Sequence, residues 1–306
     1  MLKQYVEIGA DGSSHSAMRW QNALREEQEL ITSRQSDGVI DLELQTRQPT
    51  VYLDNWAMAR ALARDDSRRT RFLDAFKTRG TLFFSWANVL ELGDSIFSRS
   101  APIRILFDGI GEHWFPIEWN PFACIRKEIA HVSGANSPAL SESFLRAYYP
   151  QIHGRVLTLS AVLDLLRQDN GAKAHAGQDQ IKVTVRRFID EVKQGHSKDP
   201  NWLEEKYPAL PFDPQRPAVF VLGELVRALA SEHGFTFTPN DGMDLFHATV
   251  PVAYSDLVLL DKSWTQRVRA IAMPGRQLYA FSEPELDQFL DVFEQCEMVT
   301  PTTTLP

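Results

Sequence analysis

The sequence predicts an α/β fold built on a central parallel sheet. Three observations carry that expectation. The apolar run Val51-Tyr52-Leu53 is followed by two helical patterns, AMARALA and SRRTRFLDAFKT. A second apolar run, TLFFS, then leads into another helix, ANVLELGDSIF. After Pro217 the alternation resumes with the long helix AVFVLGELVRALASEHG, a helix from Asp244 through Ala253 and the strand DLVLLD. Short apolar runs alternating with amphipathic helices are how the strands of a layered α/β sheet read in sequence.

The elements follow in order. Residues 1–49 read as an N-terminal extension: a polar Gly/Ser segment, a helix over Ala17 to Ser33 rich in Glu and Arg, and a short GVIDLEL run. The core begins with VYLDNW as a buried strand. Gly80 ends the second helix, as glycine does just past a helix C-terminus, and Ser85 offers an N-cap to the helix after TLFFS. Residues 101–218 break the rhythm with APIRILFDGIGEHWFPIEWNPFACIRKEI, amphipathic helical stretches and the Pro-rich YPALPFDPQRP. They read as a mainly helical insertion, leaving 50–100 and 219–285 as the core. TPND reads as a polar turn before the Asp244 helix. RQLYAFS is a final strand, and Ser282-Glu283-Pro284-Glu285 fits a capping box. Residues 286–306 are a C-terminal helix and a tail, VTPTTTLP, expected to be mobile.

Bulk properties exclude several classes. A hydrophobic content of 43% against 24% charged residues argues against wholesale disorder. No apolar stretch is long enough to span a bilayer, so no membrane partner is expected. The N-terminus lacks the basic start and apolar core of a secretion signal, which predicts a cytoplasmic protein. Cys124 and Cys296 have no paired spacing, against a disulfide framework or a thiolate zinc site. A net charge of −8 argues against coating nucleic acid non-specifically, while leaving room for a local basic groove. Neither a G-x-G-x-x-G nor a P-loop pattern is present.

Candidate chemistry lies in four acids: Asp54 closing the first apolar run, Glu91 within SWANVLEL, Asp244 opening DLFHATVPVA, and Asp261 closing LVLLD. Carboxylates beside apolar elements cost solvation energy unless hydrogen bonds or a cation offset it. Parallel strands place their carboxyl ends on one edge of a sheet, where ligands bind at a switch in strand order. Asp54 and Asp261 occupy such ends, and Glu91 and Asp244 lie early on helices that start at the same edge. One Asp at a strand end is more often a turn residue; four acids on the right element types make a constellation. Hard oxygen donors without Cys or paired His point to Mg²⁺ or Mn²⁺. Such an ion holds a phosphodiester, lowers the pKa of an attacking water and stabilises the departing oxyanion.

These segments, VYLDN, NVLEL, MDLFHA and LLDKSW, resemble the PIN-domain family of nucleases over roughly 50–100 and 219–282. The resemblance implies a PIN-like α/β/α sandwich with a central parallel sheet. It also implies Asp54, Glu91, Asp244 and Asp261 as metal ligands, and metal-dependent endoribonuclease activity that leaves 5′-phosphates on an RNA substrate; it allows a homodimer. Two positions depart from the family pattern. Trp56 stands where the family carries Ser or Asn, with Asn55 adjacent as a substitute, and Leu259 stands where it often carries Thr. Outer-shell losses of this kind weaken metal sites about 10–100-fold. A second expectation is therefore a catalytically weakened PIN-like module that binds RNA, or a protein partner through its helical insertion. A phosphatase of the haloacid-dehalogenase kind needs a second Asp where Trp56 stands.

Accessory residues are read as follows. Asp241 is an N-cap or an additional metal contact. His247, one turn after Asp244, is a structural hydrogen-bonder or a phosphate contact. Lys262, beside Asp261, is the best-placed cation. Asp94 reads as solvated and Asp256 as a turn residue. Basic stretches at Arg68, Arg69, Arg71, Lys77 and Arg79, and at Lys182, Arg186, Arg187, Lys193 and Lys198, would supply phosphate contacts if they bordered the acids. Trp86, Trp114, Trp119 and Trp264 are candidates for base stacking or, more commonly, packing.

Overall fold

The computed structural model describes residues 3–8, 14–19, 31–36, 39–94, 101–130, 138–141, 143–144, 158–168, 172–199, 201–232 and 238–296. The tail VTPTTTLP lies outside them. In the extension, strands β1 (Lys3–Ile8), β2 (Ser14–Arg19), β3 (Ile31–Ser36) and β4 (Val39–Gln45) form an antiparallel sheet in the order β2-β1-β4-β3. The helix expected over 17–33 is thus corrected at both ends, since Ala17–Arg19 belong to β2 and Ile31–Ser33 to β3. The GVIDLEL run supplies β4, which pairs with both β1 and β3, and such non-local ladders override a weak local helical preference.

The second sheet is five-stranded and entirely parallel: β5 (Thr50–Leu53), β6 (Thr81–Ser85), β7 (Trp114–Ile117), β8 (Leu257–Leu259) and β9 (Tyr279–Phe281), in the order β7-β6-β5-β8-β9. Every residue of β5, β6, β7 and β8 is buried, as strands covered on both faces must be. β7 corrects the view of 101–218 as a helical insertion, because its first part contributes the edge strand of the sheet. Pro116 disguises it. Proline lacks an amide donor and is tolerated on an edge, where its carbonyl accepts from the Ser141 amide at 2.9 Å.

The helices are α1 (Asp66–Thr78), α2 (Trp86–Asp94), α3 (Ala101–Ile110), α4 (Pro121–Ala130), α5 (Leu159–Gln168), α6 (Ala172–Lys198), α7 (Trp202–Lys206), α8 (Pro217–Ser231), α9 (Pro239–Tyr254), α10 (Lys262–Arg269) and α11 (Leu286–Gln295). None described is long and apolar enough to cross a membrane. They pack in two groups, one around α1, α3, α5 and α11 and the other around α4, α6, α8 and α9. α1 ends as expected at Gly80, whose φ of +92° suits glycine and whose missing side chain leaves room for the Phe293 ring.

The basic face of α1 holds α11. Arg68 grips Asp287 through two bonds of 2.9 and 2.8 Å, Arg71 reaches Asp291 and Glu294, and Arg79 donates to the carbonyls of Glu294 and Cys296. Phe72, Phe76, Phe289 and Phe293 pack alongside. On α6, Arg186 pairs with Asp190 at 3.5 Å on a surface shared with Glu191. All four tryptophans considered for stacking pack internally: Trp114 and Trp264 are fully buried, Trp86 meets Phe144, and Trp119 meets Phe246.

One buried carboxylate ties the two parts of the second helical group together. Glu128 on α4 accepts from the Ala218 and Val219 amides at 2.8 and 3.0 Å, capping α8 from a distant segment, and from the Tyr254 hydroxyl at 2.5 Å. Burial pushes its carboxyl up; Tyr254 and the two amides pull it back. Replacing Glu128 by Ala leaves the buried Ala218 amide and the partly buried Val219 amide and Tyr254 hydroxyl without this acceptor, so chemical denaturation should show a loss of about 3 kcal/mol, with Glu128→Gln losing less. Unchanged stability in Glu128→Ala would contradict this capping role.

Candidate acidic site

In chain order the parallel sheet runs third, second, first, fourth, fifth, so the strand order reverses between β5 and β8. A reversal of this kind opens a crevice at the carboxyl ends of the strands. Asp54 follows β5 directly, and its amide donates to the Leu259 carbonyl of β8 at 3.0 Å. Past Asp54 the chain enters a π-helical stretch, Ala57–Leu62, begun by the Ala57 and Met58 amides donating to the Asp54 carbonyl. Asp261 lies two residues beyond β8 as the N-cap of α10. Its Oδ1 accepts from the Trp264 amide and the Ser263 hydroxyl, each at 2.9 Å. Leu259, two residues before Asp261, is a buried strand residue, and Ser263, two residues after it, brings a hydroxyl to Asp261.

Glu91 projects from α2. Ser85 caps that helix through a reciprocal arrangement in which the Asn88 amide donates to Ser85 Oγ and the Ser85 amide and hydroxyl donate to Asn88 Oδ1. Asn88 also donates through Nδ2 to the Leu53 carbonyl and to Asn55 Oδ1. Asn55 is nearly buried, and its Nδ2 donates to Glu91 Oε2. An amide next to Asp54 therefore serves Glu91. Asn88 carries this network and was not singled out in the sequence; a buried Asn one turn before Glu91 was the available signal.

Asp244 sits in the second turn of α9, not at its start. Thr238 is the N-cap, and TPND forms the first turn rather than a loop. Asp241 is correspondingly not the N-cap but its capping-box partner: Oδ2 accepts from the Thr238 amide and hydroxyl, both at 2.6 Å. His247, one turn beyond Asp244, is buried, with Nδ1 at 3.2 Å from the Tyr52 hydroxyl and Nε2 at 3.5 Å from Glu91 Oε1. Lys262 is exposed at the first position of α10. Asp256 is structural: its Oδ2 accepts from the Thr50 amide and hydroxyl, clasping β5 to β8.

The carboxylates act on one another. Burial first, then the charges of Glu91 and Asp244, and more weakly Asp261, push the Asp54 carboxyl well above its ordinary range, against a bond from the Asn55 amide. Asp244 is pushed up to about 7 by burial and by Asp261, Glu91 and Asp241. The buried Trp264 indole N–H favours the charged form of Asp244, yet it completes no hydrogen bond. Burial lowers His247, so its imidazole is neutral near pH 7. As the side chains stand, no group of three or more His, Cys, Asp or Glu among the described residues is gathered to hold an ion. The donor set nevertheless suits a hard divalent cation, because all four acids offer oxygen and a cation would remove the mutual repulsion that raises Asp54 and Asp244.

The sign of that repulsion is measurable. Asp244 binds its proton more tightly folded, near 7, than at its ordinary 3.8, so the stability linked to it is complete below about pH 4 and lost as pH rises through 7. In the presence of chelator, Asp244→Asn should therefore melt higher than wild type at pH 8, with the two converging at pH 4. A lower melting temperature for the variant at pH 8 would contradict the described electrostatics. Comparison with protein-family models, curated proteins and solved structures finds no match to this chain.

Proposed function

We propose that the protein is a metal-dependent ribonuclease with a PIN-like core. The observation that supports this reading is the electrostatic coupling of Asp54 and Asp244 to Glu91 and Asp261, four acids carried on separate elements beside the strand-order reversal of a parallel sheet. An isolated fold has no use for such a concentration of like charge, and function-bearing sites are where stability is commonly sacrificed.

In this reading Asp54, Asp244 and Asp261 hold Mg²⁺ or Mn²⁺ together with Glu91. When bound, the ion supplies electrostatic stabilisation of a phosphodiester under attack by water and of the oxyanion that leaves. The chain's own work is orientation. The Trp264 amide and Ser263 direct Asp261, Asn55 directs Glu91, and the Leu259 carbonyl fixes the backbone at Asp54. Lys262 would meet the substrate's phosphates. The two basic stretches contribute less than their composition suggests, since Arg68 and Arg71 of α1 are spent on α11, Arg69 and Lys77 on acids of α1 itself, and Arg186 on Asp190 of α6.

A second reading, a PIN-like module that binds RNA or protein without turnover, is favoured by one observation: the acids are not drawn to ion-binding separation. Cleavage of an RNA panel with Mn²⁺ separates the two. The nuclease reading expects wild type to cleave and Asp244→Asn to lose more than about 100-fold, beyond the loss typical of an outer-shell partner. Equal cleavage by both proteins would reject the assignment, and absence of both cleavage and calorimetric Mn²⁺ binding in wild type would favour the binding module.

A further inference from the structure

His247 is a buried polar side chain whose role the acidic site leaves unexplained. It is 5% exposed, and its Nε2 completes no hydrogen bond although it is directed at Glu91 Oε1, 3.5 Å away. Which nitrogen carries the proton follows from the other side of the ring. Tyr52 is fully buried, and a phenol, with an ordinary pKa of about 10, carries its proton at neutral pH. A buried hydroxyl must donate somewhere. Its polar neighbours are Asn88, Ser85 and His247. Asn88 Oδ1 already accepts twice, from the Ser85 amide and hydroxyl at 2.9 and 3.0 Å. Among the described residues the side chain in hydrogen-bond geometry with the Tyr52 hydroxyl is His247, whose Nδ1 lies 3.2 Å from the Tyr52 oxygen and is its acceptor. The proton of the neutral ring is then on Nε2, pointing at Glu91.

Glu91 is thereby flanked by two donors from different parts of the chain. Asn55 Nδ2 bonds Oε2, its orientation set by Asn88 donating to Asn55 Oδ1 at 3.3 Å; His247 Nε2–H faces Oε1. Asp244 and His247 are three residues apart on α9, so one helix face offers a carboxylate and, one turn on, the group facing the neighbouring carboxylate.

We propose that His247 is the positioning residue for Glu91: Tyr52 fixes the Nε2–H tautomer, and that N–H orients the Glu91 carboxylate for a divalent cation at the acidic site. This rests on the metal reading above. His247 acts through Glu91, in the way outer-shell donors orient ligating carboxylates.

Two measurements test it on the full chain. In metal-free protein, ¹⁵N spectroscopy of the imidazole should find the Nε2–H tautomer in wild type and a loss of that preference in Tyr52→Phe; an Nδ1–H tautomer in wild type would overturn the proposal. Calorimetry with Mn²⁺ then compares wild type, His247→Leu and His247→Gln, each also with Glu91→Gln, after circular dichroism has verified folding. His247→Leu should weaken Mn²⁺ binding about 10–100-fold, His247→Gln, which keeps an N–H donor, should largely restore it, and neither should matter once Glu91 is Gln. An equal loss from His247→Leu in the Glu91→Gln background, or no loss in wild type, would overturn the role. Failure of wild type to bind Mn²⁺ would remove the metal reading and this role together, whereas the tautomer result reads the Tyr52–His247–Glu91 geometry independently of any metal.

Discussion

Pairing of β5 with β8 fixes the acidic edge of this protein. The two strands are separated by some two hundred residues, and they meet in register with Val51 opposite Leu257 and Leu53 opposite Leu259. That register sets Asp54 against the end of β8, from which Asp261 emerges two residues later. A slip by one residue would turn every buried side chain of a strand to the opposite face, and the Thr50–Asp256 clasp at the other end of the pair works against such a slip. Apolar burial of the sheet thus determines where two carboxylates stand, and the helices entering and leaving it bring two more.

Concentrating those acids works against stability. Burial and mutual repulsion raise Asp54 and Asp244, and a folded chain selected only for stability would dilute such a cluster with neutral or basic residues. Instead the surroundings supply donors that hold individual carboxylates: Ser263 and the Trp264 amide for Asp261, Asn55 for Glu91, Thr238 for Asp241. Little of the positive charge of α1 is spent here, since Arg68 and Arg71 pair with α11 and Arg69 with Asp66 of its own helix. Under the proposed reading, a divalent cation would relieve this repulsion at carboxylates already oriented by hydrogen bonds.

Much of this was legible in the sequence where local pattern and tertiary demand coincide. VYLD, TLFFS and DLVLLD are apolar runs because they are buried on both sides, so the strands and the acids at their ends could be read directly. Pro116 hid β7, since proline inside an apolar run ordinarily argues against a strand, and only its edge position makes it tolerable. The Glu- and Arg-rich segment after Ala17 carries helical propensity, yet β1 and β4 recruit its flanks into a sheet that no local signal announces. Asp241 passed for the cap because Thr238 and Pro239, the true cap and first helical residue, look like a turn. The tie between Tyr52 and His247 was invisible, because it joins a strand residue inside an apolar run to a helix residue 195 positions away.

Anomalous diffraction from crystals grown with saturating Mn²⁺ tests the central claim most directly. The account predicts a manganese peak at the strand-order reversal between β5 and β8, with carboxylate oxygens of Asp54, Asp244 and Asp261 drawn to within roughly 2.0–2.6 Å of it, the range of divalent ions in oxygen sites. Crystals that hold no manganese at this edge, or hold it only elsewhere while these carboxylates keep their separation, would contradict it.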